Sequence, residues 1–217
     1  MSEINKQWLA ENFPKNCNIF DIGCADMGDT VTFKEILPNN RYYAFECSNA
    51  WLTKNLHCAK AYGINYFHVA MSDHCNGVQF YPSDKWKGQD WNWSGTTFVP
   101  GNQENMVWGE PYTVESITLN EFCKTHCVVP DFIHMDVEGG EYAVLNNMDP
   151  AFRPKAVWAE INILALHNTN VDYNKFNDMM IGQGYTQIYI SNHDALYARN
   201  DVSLTKYPLE SNSVYLT

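Results

Sequence analysis

Basic side chains are scarce in this chain. Its 217 residues carry 14 Lys and Arg against 25 Asp and Glu, a formal charge of -11 at neutral pH. A groove that tracks a phosphate backbone needs the opposite balance, so nucleic-acid binding is excluded as its main business. Long apolar runs are missing too. Nothing approaches the roughly 20 residues that cross a bilayer, and Met1 to Pro14 has neither the basic start nor the apolar core of a secretory leader. A soluble, cytoplasmic chain without a membrane span is the expectation. The seven cysteines are an odd number without a repeating interval, which predicts reduced thiols and no disulfide frame. Cys123, His126 and Cys127 form one C-x-x-H-C cluster, but no second ligand pair stands at finger spacing. The cluster is therefore read as part of a helix face, and no metal is expected there. The sequence also lacks G-x-G-x-x-G and G-x-x-x-x-G-K-[ST], the loops that cradle dinucleotides and nucleoside triphosphates.

What is present is the composition of a folded protein, 45% hydrophobic and 14% aromatic. At roughly 150 residues per domain, residues 1–217 are expected to form one domain. Short apolar runs ending at a polar or small residue recur at Asn18–Gly23, Tyr42–Glu46, Asn65–Ala70, Phe132–Asp136 and Ala156–Glu160, the form of buried parallel strands. Helix signals lie between them at Ala50–Tyr62, Leu119–His126, Glu141–Met148 and Tyr173–Gly182. Near the start, within residues 1–16, Glu3–Asn12 sets Ile4, Trp8 and Leu9 on one helical face. Alternating strands and helices predict a three-layer α/β fold, because parallel strands need crossovers that cover both sheet faces. Tyr185–Ile190 and Ser213–Leu216 are strand-like without a helix between them, so the last strand is expected to return antiparallel. Residues 78–114 break the rhythm. Trp86, Trp91, Trp93 and Trp108 stand there among Asp, Asn, Gln and Gly, and a long excursion or lid is expected rather than sheet.

A doubly wound sheet binds its ligand at the carboxyl ends of the strands, where the strand order reverses. The loop Asp21-Ile22-Gly23-Cys24-Ala25-Asp26-Met27-Gly28-Asp29-Thr30 follows the first strand; Gly23 and Gly28 allow close backbone approach and the next helix offers free N–H groups. Glu46, 25 residues after Asp21, stands where an acid can accept hydrogen bonds from a ribose diol. Asp21 has two open roles, ligand binding and loop stabilisation. Glu46 likewise serves either a ribose or solvent.

The run Asp131-Phe132-Ile133-His134-Met135-Asp136-Val137-Glu138-Gly139-Gly140-Glu141-Tyr142-Ala143-Val144-Leu145 resembles the hallmark of FkbM-type methyltransferases, K-x-D-x-E-G-x-E before a helix ending in V-L. Asp21 to Thr30 is similar to that family's D-x-G-x-x-x-G-D-T loop. Ala44-Phe45-Glu46, Ala70-Met71-Ser72-Asp73 and Ser116-Ile117-Thr118-Leu119-Asn120-Glu121-Phe122 are similar to its A-F-E, A-x-S-D and T-L-D-E-F segments, in family order over residues 18–161. Three departures stand out: a first loop one residue longer around Cys24 to Met27, His134 for the family lysine, and Asn120 for the aspartate of T-L-D. The resemblance implies a Rossmann-like class I methyltransferase fold, a mostly parallel seven-stranded sheet with an antiparallel last strand. It implies S-adenosyl-L-methionine as cofactor, with Asp21, Gly23 and Cys24 at the amino-acid portion, Glu46 on the ribose, and Met71 and Asp73 beside the adenine. It also implies O-methyl transfer to a hydroxyl of a glycan or similar small acceptor.

Methyl transfer needs an acceptor oxygen held in line and a base for its proton. His134, Asp136 and Glu138 have the period-two spacing that puts them on one side of a continuing strand. Asp136 is the preferred base or acceptor-orienting group. Glu138 is open to catalysis or to bonding the Gly139-Gly140 turn, and His134 to a second base, a partner of Asp136 or a satisfied interior histidine. The trio also suits a hard divalent cation, though no ligands from other segments can be assigned. Glu160, Asn162 and His167 follow the fifth strand as acceptor contacts, with a plain surface loop as the other reading of His167. Trp91 and Trp93, with Trp86, offer flat faces to a sugar ring or pack as an aromatic hairpin. Two other functions remain on the page: a nicotinamide-dependent oxidoreductase, disfavoured by the missing glycine fingerprint, and a non-catalytic nucleoside-binding partner of a glycan-modifying enzyme, fed by His134.

Overall fold

A computed structural model describes residues 4–91, 94–97, 100, 105–162, 164 and 171–208. Its main sheet contains β1 (Asn18–Ile22), β2 (Arg41–Phe45), β3 (Asn65–Phe67), β4 (Phe132–Met135), β5 (Ala156–Glu160), β6 (Tyr185–Ile190) and β7 (Asp194–Arg199), in the order β6-β7-β5-β4-β1-β2-β3. Strands β1 to β5 pair in parallel, whereas β7 inserts between β5 and β6 and is antiparallel to both. The antiparallel last strand is thus Asp194–Arg199, closed on β6 by a tight turn in which Ser191 Oγ accepts from the His193 and Asp194 N–H groups. Ser213–Leu216, expected in that place, lies outside the described residues.

The helices are α1 (Lys6–Asn12), α2 (Gly28–Ile36), α3 (Leu52–Tyr62), α4 (Leu119–His126), α5 (Glu141–Leu145) and α6 (Tyr173–Gly182). Helix α1 starts at Lys6, later than the apolar face predicts, because the Asn5 side chain accepts from the Trp8 N–H at 2.9 Å and fixes the cap there. Thr118 and Asp172 cap α4 and α6 in the same way. Side chains alternate across the buried strands. Ile133, Phe20 and Phe45 pack with Phe122 and Phe176 under α4 and α6, while Phe132, Ile19 and Tyr42 pack with Trp8, Phe33 and Leu37 under α1 and α2. Each such side chain contributes about 1.5–3 kcal/mol by leaving water. All seven cysteines are free thiols. No helix among the described residues is long and apolar enough to cross a membrane.

The described residues within 78–114 form sheet after all. One long strand, Val78–Trp86, pairs antiparallel with Gln89–Asp90, Gly95–Thr96, Met106–Trp108 and Tyr112–Val114. Its period-two alternation explains the difference: Val78 and Phe80 turn inward onto Cys47, Ala70 and Val114, and Gln79 outward. At its base, Ala70–Met71 pairs with Ser116–Ile117, so both ends of this β-arm are tied beside the end of β3.

Candidate active site

The strand order reverses between β1 and β4, and a cleft opens at the carboxyl ends of β1, β2 and β4. Strand β1 contributes Ile22 and Gly23; β2 continues into Phe45, Glu46, Cys47 and Ser48; β4 delivers Asp136, Val137 and Glu138. Trp51, Val69, Met71 and Phe80 add apolar walls. The β-arm supplies Ser94, Gly95 and Thr97. Among the described residues, no lysine, arginine or histidine lines the cleft.

Gly23 is fixed by sterics. Its φ is +83°, and a Cβ there would lie 1.7 Å from the Asp136 carbonyl oxygen, while the Gly23 and Cys24 N–H groups both donate to Phe45 O. The β1 turn is therefore held between its two neighbouring strands. Glu46 is buried, and its carboxylate accepts from the Ala25 N–H at 3.0 Å and the Ser48 N–H at 2.6 Å. Burial outweighs those donors and pushes its pKa up to about 7. Behind it, His68 Nδ1 lies 3.0 Å from the Glu46 carbonyl and the Tyr112 hydroxyl accepts from the Asn49 N–H, bracing the strand end.

The period-two alignment expected for His134, Asp136 and Glu138 is not kept, because β4 stops at Met135. His134 is buried beneath α2, with Nδ1 2.8 Å from Asp21 Oδ1 and its ring edge-on to Phe33 at 5.3 Å. Asp21 and His134 are register partners on adjacent parallel strands, which is why they meet. The Thr30 hydroxyl donates to the other oxygen of Asp21. Burial alone would lower the His134 pKa, but the Asp21 carboxylate more than offsets it and raises the pKa to about 9. Asp21 and His134 thus sit below the cleft lining and brace β1 against β4 and α2. The change from the family lysine falls outside the cleft.

Asp136 is exposed to the cleft, donates its N–H to Ile22 O, and lies in hydrogen-bond contact with Glu160 at the end of β5. Although the residue is open to the cleft, protein packed around its carboxyl group desolvates it in part and raises its pKa, countered by that contact. Glu138 occupies a left-handed backbone conformation, φ +54°, uncommon for a side chain of its size. It reaches Ser94 of the β-arm, and burial next to Asp136 pushes its pKa up to about 8. Glu141, rather than Glu138, bonds the turn, accepting from the Val137 N–H at 2.9 Å.

Of the other expected site residues, Met71 lines the cleft. Cys24 is buried beside it, Asp73 turns outward to His74, and Asn162 is exposed and bonds His193 at 2.8 Å. Trp91 packs on Trp86 at 5.3 Å near the tip of the arm, away from the cleft lining. Trp93 and His167 lie outside the described residues. Trp51, Phe80, Ser94 and Thr97 were not anticipated. Trp51 carries a signal, an aromatic five residues beyond the strand-end acid, but the arm residues reach the cleft only through long-range pairing. Among the described residues no cluster of three or more His, Cys, Asp or Glu is arranged to hold a metal ion.

The strand order and the crevice at its reversal define a Rossmann-like methyltransferase fold. The family model of the methyltransferase FkbM domain matches residues 21–194, and the chain belongs to that family. It is 29% identical over 137 residues to the 2-O-methyltransferase NoeI of Sinorhizobium fredii, a match covering 58% of this chain and 55% of that protein. The chain therefore spans about half the length of this curated relative. Among solved structures, the Methanococcus jannaschii fibrillarin pre-rRNA processing protein superposes with a TM-score of 0.52 at 9% identity, covering 86% of this chain and 67% of that one. A methyltransferase FkbM from Methylobacillus flagellatus gives 0.49 at 13% identity, covering 84% and 43%.

Proposed function

We propose that this methyltransferase uses S-adenosylmethionine and methylates a hydroxyl group of a sugar-containing or similarly polar small acceptor. The observation that carries the reading is the convergence of the Gly23 turn, the Glu46 carboxyl and the exposed Asp136 carboxylate on one crevice. The side chains fit the cofactor. Trp51, Val69 and Met71 provide an apolar wall for a purine, Glu46 retains lone pairs for a ribose diol, and the carboxyl groups of Glu46, Asp136 and Glu138 suit a sulfonium and an ammonium. When bound, S-adenosylmethionine supplies an electrophilic methyl group. Asp136 orients the acceptor hydroxyl and takes its proton onto the carboxylate, and Glu138, swung inward by its left-handed backbone, faces the same space. The relative's description as a 2-O-methyltransferase supports oxygen as the acceptor atom. The sugar rests on the hydrogen-bonding character of the Asp136, Glu138, Ser94 and Thr97 side.

Thermal denaturation with S-adenosylmethionine or S-adenosylhomocysteine tests the cofactor. The melting temperature should climb with ligand concentration, as mass action requires, and nicotinamide nucleotides should leave it unchanged; the reverse pattern would overturn the reading. Asp136→Asn should keep that stabilisation while methylation of simple glycosides falls by about 100-fold or more, the usual contribution of a general base. A matching loss of cofactor binding would make Asp136 a cofactor ligand instead.

A further inference from the structure

Asp136 directly follows β4, and Glu160 is the last residue of its parallel neighbour β5. The register Met135 against Ala159 makes them the next pair along, and their carboxyl groups are in hydrogen-bond contact. Two carboxylates repel at that separation, so a hydrogen bond between them requires a proton. Oxygen accounting locates it. Glu160 Oε2 is buried with no hydrogen-bond partner, which is tolerable for a neutral acid and very costly for a carboxylate. Asp136, by contrast, opens on the cleft and is reached by water.

We propose that Glu160 is a positioning residue, held as the neutral acid, whose carboxyl O–H donates to Asp136 and keeps that carboxylate ionised and turned into the cleft. This rests on Asp136 being the acceptor-orienting base, and it gives Glu160 a role different from acceptor contact. The surroundings agree. Asp136 also feels His134, Asp21 and Asp29 from β4, β1 and α2; Glu160 feels Glu138 and Glu141 from the turn and α5. These neighbouring acids, together with burial, drive the Glu160 carboxyl far above its ordinary range. Burial raises the Asp136 pKa as well, but there the Glu160 contact and His134 pull the other way and favour its charged form.

Carbon-13 NMR of the full chain labelled at Asp and Glu side-chain carboxyls tests this without any acceptor. The Glu160 resonance is identified by its loss in Glu160→Gln, and that of Asp136 by its loss in Asp136→Asn. Glu160 should resonate as a protonated acid through pH 8, and Asp136→Asn should lower its midpoint. Glu160→Ala should raise the Asp136 midpoint by about one pH unit, the low end of what a lost charge-stabilising partner shifts. Glu160→Gln, whose amide still donates, should restore it. An ionised Glu160 at pH 7, or an Asp136 midpoint indifferent to Glu160→Ala, overturns the proposal. Adenosyl-ligand stabilisation in the same samples reports separately on the methyltransferase reading, so the two fail independently.

Discussion

Glu46 shows how one side chain can couple binding to protonation. Its pKa near 7 leaves the carboxyl partly protonated at neutral pH, with burial raising it against the pull of the Ser48 and Ala25 N–H groups. Hydroxyls of a bound ribose would add donors that favour the charged form, so the pKa should fall on binding and a proton should leave. Calorimetry of S-adenosylhomocysteine binding at pH 7 in buffers of different ionisation enthalpy should therefore show release of a fraction of a proton. Glu46→Gln should abolish that release and weaken binding by about 1–3 kcal/mol, the cost of losing charge-assisted hydrogen bonds. Proton uptake, or none, would remove the ribose from Glu46. Its place in the cleft was legible in the sequence because it is the acid that ends a buried parallel strand, at the edge where such sheets bind ligands. Asp21 and His134 take the structural roles left open for them, loop stabilisation and a satisfied interior histidine, for a physical reason too. Side chains on adjacent parallel strands meet according to register and face, which a linear pattern does not record, and those two meet under α2 instead of in the cleft.

At the level of elements, the alternating strands and helices were legible wherever a buried strand carried its own apolar run. The β-arm was not, because its polar and aromatic residues alternate only when Val78–Trp86 is taken as one strand with four antiparallel partners. Its pairings are non-local and leave no contiguous signature. Phe80 ties this arm to the cleft. It is buried, packs against the tilted Tyr112 ring at 5.4 Å, seats its ring where a Gly95 Cβ would come within 2.2 Å, and forms part of the cleft wall. Phe80→Ala should destabilise the protein by about 3 kcal/mol in urea unfolding, the low end for a buried phenylalanine. It should also weaken adenosyl-ligand binding, because wall and arm are lost together. An unchanged affinity alongside the stability loss would confine the arm to a supporting role.

Across the whole molecule, the titrating groups that the fold perturbs most act in one direction. Glu138 and Glu141 are raised to about 8 and Glu46 to about 7, chiefly by burial, from an ordinary glutamate value of about 4.3. Between those limits the folded state binds more protons than the unfolded chain, so stability falls as pH rises through the window. His134 has the same slope for the opposite reason. Its pairing with Asp21 raises the folded pKa to about 9 from about 6.5, so the stabilisation is complete below the unfolded value and is lost as pH climbs through the folded one. A net charge of -11 at neutral pH adds self-repulsion of the same sign. The melting temperature should therefore be highest near pH 5 and decline steadily towards pH 9, rather than showing the broad plateau around neutrality common to proteins with paired surface carboxylates. Glu141→Gln should flatten the part of the decline between about pH 4.3 and 8, since its buried, unpartnered Oε2 marks it as a group the fold prefers neutral. A melting temperature that rises from pH 5 to 8 would show that these carboxyls are ionised in the native state and that water or a bound cation, not burial, sets their charge.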